Sequence, residues 1–73
     1  MPIARVKSEV TGRVWKIVAQ PGHDVTEEDT ILILESMKME ISVAAPVRGT
    51  LKELLVEEGQ EVGEGQDLAI VET

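Results

Sequence analysis

A chain of 73 residues, 42% of them hydrophobic and 29% charged, has room for one core and too much apolar content to be a disordered tail. Fourteen acids against seven bases leave a formal net charge of −7, which repels nucleic-acid backbones and anionic membranes. With no cysteine and one histidine, disulfides, thiolate chemistry and His-cluster metal sites are excluded. The apolar runs, such as Ile31 to Leu34, fall far short of a membrane span. The expectation is a single soluble, cytoplasmic, monomeric domain over residues 1–73, without nucleic acid or membrane as partner.

In chain order, an opening segment is followed by "GRVWKIVA", which mixes β-branched and apolar residues after a glycine and reads as a strand. "QPGHDV" supplies turn residues, and "TILILE" is a second short apolar strand. The pattern then recurs as "GTLKELLV", "EEGQEV" and "DLAIVE". Sliding the chain by 37 positions lays residues 1–36 on residues 38–73 without a gap, with Met37 left over. Eight of the 36 pairs are identical, against roughly two for random pairing. Apolar character also persists at Val14/Leu51, Ile17/Leu54, Val18/Leu55, Ile31/Leu68 and Leu34/Val71.

Two copies this short cannot each bury an apolar face alone, so the economical fold packs one on the other about a pseudo-two-fold axis. Each half reads as strand, strand, turn, strand. The i, i+3, i+4 spacing of Leu51, Leu54 and Leu55 would suit a helix, but the repeat partner "RVWKIVAQP" carries β-branched residues and a proline that oppose one.

Symmetry places one lysine. If Ser36 ends one strand and Lys38 begins the next, Met37 and Lys38 form a tight turn between antiparallel neighbours. The axis then relates that turn to a pairing of Met1 with Thr73 at the far end. By its chemistry alone Lys38 is either a solvated turn residue or a recognition or modification site. Flexible Met37 and Met39 beside it favour recognition more than solubility does.

"ESMKMEI", residues 35–41, resembles the attachment motif of biotin carboxyl carrier proteins and biotinyl domains. The likeness extends through "GRVWKIVAQPGHDV", "ILILESMKME", "APVRGTLKELLVEEGQEV" and "GQDLAIVE". It implies an all-β fold, a flattened barrel or sandwich of two four-stranded antiparallel sheets with the attachment lysine on a hairpin tip. It further implies that Lys38 receives biotin as an amide from a biotin protein ligase. The biotin would carry a carboxyl group from a biotin carboxylase to a carboxyltransferase, the chain itself being a non-catalytic swinging-arm carrier.

Under that resemblance Met37 and Met39 contact the ligase. Glu40, whose repeat mate is Ile3, has a tip-specific recognition role. Glu35 is divided between ligase recognition and a structural role, because its mate Glu72 lies far from the lysine. Gly12, Gly49, Gly22 and Gly59 recur in both halves, which points to positive φ or close strand approach. His23 is expected in an exposed turn and Trp15 partly exposed, at a sheet edge or a partner contact.

Three departures from the family pattern stand out. Glu28 sits where the second half has Gly65, so the first turn is expected to differ. Ser8 and Glu9 replace the step kept as Ala45 and Pro46, and His23 and Gln60 stand where aspartate is frequent. Two rival readings remain. A lipoyl carrier, or an acceptor of both biotin and lipoate, also uses a hairpin lysine, but lipoyl domains usually have aspartate before it and alanine after, where Met37 and Met39 stand here. An unmodified interaction module would need no lysine at all.

Overall fold

The structure, a computed structural model, describes residues 2–73. Alternation of apolar and polar residues, broken by glycines and turn residues, gives eight strands and no helix among the described residues. They are β1 (Ile3–Lys7), β2 (Gly12–Ile17), β3 (Asp24–Val25), β4 (Thr30–Ser36), β5 (Met39–Ala44), β6 (Gly49–Leu54), β7 (Glu61–Val62) and β8 (Asp67–Glu72). Two four-stranded antiparallel sheets result: a tip sheet ordered β5-β4-β2-β7 and a terminal sheet ordered β1-β8-β6-β3. Adding four to each strand number, cyclically, turns one order into the other. The 37-residue repeat is therefore a structural two-fold.

Hydrogen bonds obey the same axis. The Val18 and Leu55 amides donate to the carbonyls of Ile31 and Leu68, both at 2.9 Å, and the Gly22 and Gly59 amides to those of Leu51 and Val14, both at 2.7 Å. The core is likewise paired: Val14 with Leu51, Val25 with Val62, Ile31 with Leu68, and Leu34 with Val71, all buried between the sheets. The segment with helical spacing is strand β6, because Leu51 enters this core and its backbone is paired to β8.

One expectation needs correcting. Each half has four strands, since the turn segments "QPGHDV" and "EEGQEV" end in two-residue strands. Val25 and Val62 bury their side chains there while β3 and β7 pair with the starts of β6 and β2. Gly22 and Gly59 adopt φ of 94° and 89°. Gly12 and Gly49 serve the other purpose, since a Cβ on either would collide with the carbonyl oxygen of Glu35 or Glu72.

The expected difference at Glu28 is absent. Its φ is 74° against 84° for Gly65, and both amides donate across the axis, to Ala45 and Ser8. The turn is clamped in both halves: the Thr26 amide donates to the Asp29 carboxylate at 2.9 Å, as the Gly63 amide does to Gln66 Oε1 at 3.0 Å. These bonds hold Glu28 in a left-handed conformation that its Cβ disfavours. The first crossover also survives without proline, because buried Ser8 bonds through its hydroxyl to the backbone of Val10. Exposed His23 and Gln60 do equal work, accepting the amides of Gln20 and Glu57 at 3.3 and 3.1 Å.

Candidate functional site at the hairpin tip

Strands β4 and β5 pair in the register Leu34↔Ile41, Glu35↔Glu40 and Ser36↔Met39, which leaves Met37 and Lys38 as a two-residue connection. Both have positive φ, 53° and 65°, the type I′ geometry whose twist suits adjacent strands. Asparagine and glycine usually fill those places, because other side chains are strained there. Here the turn keeps a methionine and a lysine instead. At the opposite end of the axis the Thr73 amide donates to the Pro2 carbonyl at 3.0 Å, in place of a hairpin. The expected partner Met1 lies outside the described residues.

Met37 is 91% exposed and Met39 63%, so neither caps the core. Lys38 is exposed, and its ammonium has no ion pair among the described residues. The hairpin's base is anchored: the Ser36 hydroxyl donates to the Thr11 carbonyl at 2.8 Å, and Gly12 allows the Glu35 carbonyl to pass close. An exposed amine thus projects from an anchored support.

One residue below the tip, register aligns Glu40, Glu35, Arg13 and Glu61 across the four strands of the tip sheet. Glu35 and Glu40 face each other directly, a repulsive cross-strand pair. Arg13 relieves it in part, with Nη2 3.7 Å from Glu35 Oε1. Sequence reasoning reached Glu35 and Glu40 but missed Arg13 and Glu61, which come beside them only through pairing with strands distant in the chain. The positive φ at Met37 and Lys38 was readable in principle, since a two-residue hairpin demands it. Chemically, the tip offers one primary amine that an incoming acyl donor can reach from several directions.

The profile of the family described as biotin-requiring enzyme matches residues 2–71. The chain belongs to the biotin/lipoyl attachment family. It is 38% identical over 63 residues to the biotin/lipoyl attachment protein of Bacillus subtilis, covering 86% of each chain. It is 35% identical over 69 residues to pyruvate carboxylase of the same organism, covering 94% of this chain but only 6% of the carboxylase. A lipoyl-type relative is also present: over 67 residues it is 36% identical to a probable dihydrolipoyllysine-residue succinyltransferase component from Schizosaccharomyces pombe, 92% of this chain and 15% of that one. Among solved structures, the urea carboxylase of Kluyveromyces lactis superimposes with a TM-score of 0.92 at 35% identity, over 97% of this chain and 6% of the carboxylase. The same domain therefore recurs as a small separate protein and as a minor part of large carboxylases.

Proposed function

We propose that this chain is a biotin carrier in which Lys38 is the attachment residue. The observation that carries the reading is the Met-Lys-Met sequence on a strained two-residue hairpin, with the amine free and the methionines exposed. A biotin protein ligase would present biotinyl-adenylate to this tip. Lys38 Nζ, once deprotonated, attacks the acyl carbon; the amide C–N bond forms, the C–O bond to AMP breaks, and AMP leaves with the electron pair. The net change at the protein is loss of one cation.

Bound biotin supplies a ureido nitrogen able to accept and release a carboxyl group. Everything else this chain contributes is mechanical. The four-carbon stem of Lys38 gives reach, the sandwich below keeps its base fixed, and tethering replaces free diffusion by a high effective concentration. Biotin carboxylase and carboxyltransferase active sites would supply the bond-making groups, in the cytoplasm, with the carrier itself monomeric. Met37, Met39, Glu35 and Glu40 form the surface that the ligase reads.

Lipoate on the same amine is the second reading, favoured by the succinyltransferase relative. Intact mass and peptide mapping after expression with both cofactors and both ligases available separate the two. A biotinyl amide on Lys38, abolished in Lys38→Arg, is the expected result. A lipoyl adduct transfers the assignment to the second reading, and an unmodified chain overturns both.

A further inference from the structure

The pseudo-two-fold supplies an internal control: where two mates share one backbone geometry and differ in side chain, that geometry does not itself require either side chain. Trp15, the chain's one aromatic residue, has Lys52 as its mate. Both sit where a strand bulges, Trp15 between Val14 and Lys16 against β4, and Lys52 between Leu51 and Glu53 against β8. The fold asks for the bulge, and a lysine satisfies it. It does not ask for an indole.

Trp15 nonetheless leaves 49% of its surface in water, a costly exposure for so large an apolar side chain. Its bulge is also held by a contact without a counterpart. The Ile17 amide donates to Glu58 Oε2 at 2.9 Å, whereas the mate of Glu58 is Pro21, which has no carboxylate to offer. The indole is therefore displayed from a fixed backbone.

Trp15 lies on the sheet whose hairpin bears Lys38. The tip sheet, with the Glu58 carboxylate bonded to it, carries Glu35, Glu40, Glu58 and Glu61 against Arg13, Lys16 and, in the hairpin, Lys38. An enzyme that holds an acyl-adenylate must carry cationic groups for its phosphate, and such a mouth is complementary to this face. Size points the same way. The molecule measures 36 × 19 × 18 Å, so its end falls well short of the roughly 800 Å² per partner of a standard interface. A partner grasping Lys38 has to extend down one side, and only the tip sheet offers an aromatic anchor of the kind that dominates binding energy.

We propose that the outer face of the tip sheet, anchored on Trp15 and rimmed by Glu35, Glu58 and Glu61, is the docking surface for the adenylate-forming enzyme that acylates Lys38. This rests on the carrier reading above. The partner meets the indole with an arginine or lysine, a cation–π contact reinforced by the surrounding carboxylates.

The test is steady-state acylation of the full chain by a biotin protein ligase with biotin and ATP, comparing Trp15→Ala, Trp15→Lys and, on the opposite sheet, Lys52→Trp. Trp15→Lys copies the residue the fold already accepts at the mate. Both Trp15 variants should lose about tenfold in kcat/KM, through KM rather than kcat when assayed well below each variant's Tm, while Lys52→Trp behaves as wild type. In parallel, 5-fluorotryptophan at position 15 of the Lys38→Arg chain should change its ¹⁹F resonance when ligase is added. Acylation of both Trp15 variants within about twofold of wild type, or an unmoved resonance at saturating ligase, overturns the docking surface alone. Failure of the wild-type chain to be acylated overturns the carrier reading and this proposal with it.

Discussion

The lysine end and the terminal end of this sandwich are made by equivalent strands in equivalent register, yet they present different chemistry. At the lysine end the row across the sheet is Glu40, Glu35, Arg13 and Glu61, below a closed hairpin in which two non-glycine residues take positive φ. At the terminal end the corresponding row is Ile3, Glu72, Thr50 and Asp24, below two chain ends joined by the Thr73 to Pro2 hydrogen bond. What is common to both ends is what the fold needs: buried aliphatics, close-approach glycines and clamped turns. What is found at one end only is not demanded by the shared architecture, and where no bond of its own explains it, something besides stability has acted.

The common features should respond alike to mutation. Gly12→Ala and Gly49→Ala each force a Cβ against a backbone carbonyl, and each should cost about 2 to 3 kcal/mol in urea unfolding. Near-equal losses would support the symmetry argument, and tolerance at one site alone would break it.

The hairpin should respond in the opposite direction. Replacing Met37 and Lys38 together by Asn and Gly restores the residues that a type I′ turn prefers. Stability should rise by about 1 to 2 kcal/mol while acyl acceptance disappears, read by unfolding and intact mass on one preparation. A destabilised double variant would show that the tip is not strained for the sake of its lysine.

Glu28 and Gly65 sharpen the comparison further, having one conformation and different side chains. Glu28→Gly should gain about 0.5 kcal/mol, relief of left-handed strain outweighing the added chain entropy, and Gly65→Ala should lose about 1 kcal/mol. Chemical denaturation of the two variants beside wild type checks both signs.

The smallest effect concerns charge. The terminal sheet has an ion cluster that the tip sheet lacks: Asp67 takes Lys7 Nζ at 2.7 Å and Arg5 Nη1 at 3.0 Å, while the mates of these three residues are Thr30, Ala44 and Ser42. The hydrogen bond from Lys7, then that from Arg5, holds the Asp67 carboxyl below the usual carboxylate range. A carboxyl depressed in the folded state contributes stability above its unfolded pKa, and that contribution fades as pH falls through the folded value. Asp67→Asn should therefore lower Tm slightly at neutrality, the loss being small because exposed ion pairs contribute little, and should converge on wild type as pH falls below about 4.

Much of this was legible in the chain. The 37-residue offset located the core pairs and the turn at Met37 and Lys38 because hydrophobic pattern and turn chemistry are local properties, written every second residue and at each glycine. It went wrong at Glu28, where local preference argues against a left-handed residue. There the hydrogen bond to Ala45 and the Thr26–Asp29 clamp outweigh it. It left the role of Trp15 open, since a bulge exists only relative to a partner strand.

Residue pattern alone therefore dictates a twofold-repeated β sandwich with one lysine at a strand junction, for burial demands alternation and the repeat demands a mate. Packing of the whole sandwich set the rest: the left-handed backbone at Glu28, the row joining Glu40 to Glu61, and the bulge that displays Trp15. Each of these depends on register between strands far apart in the chain, and register is set by packing the whole sandwich rather than by any one segment.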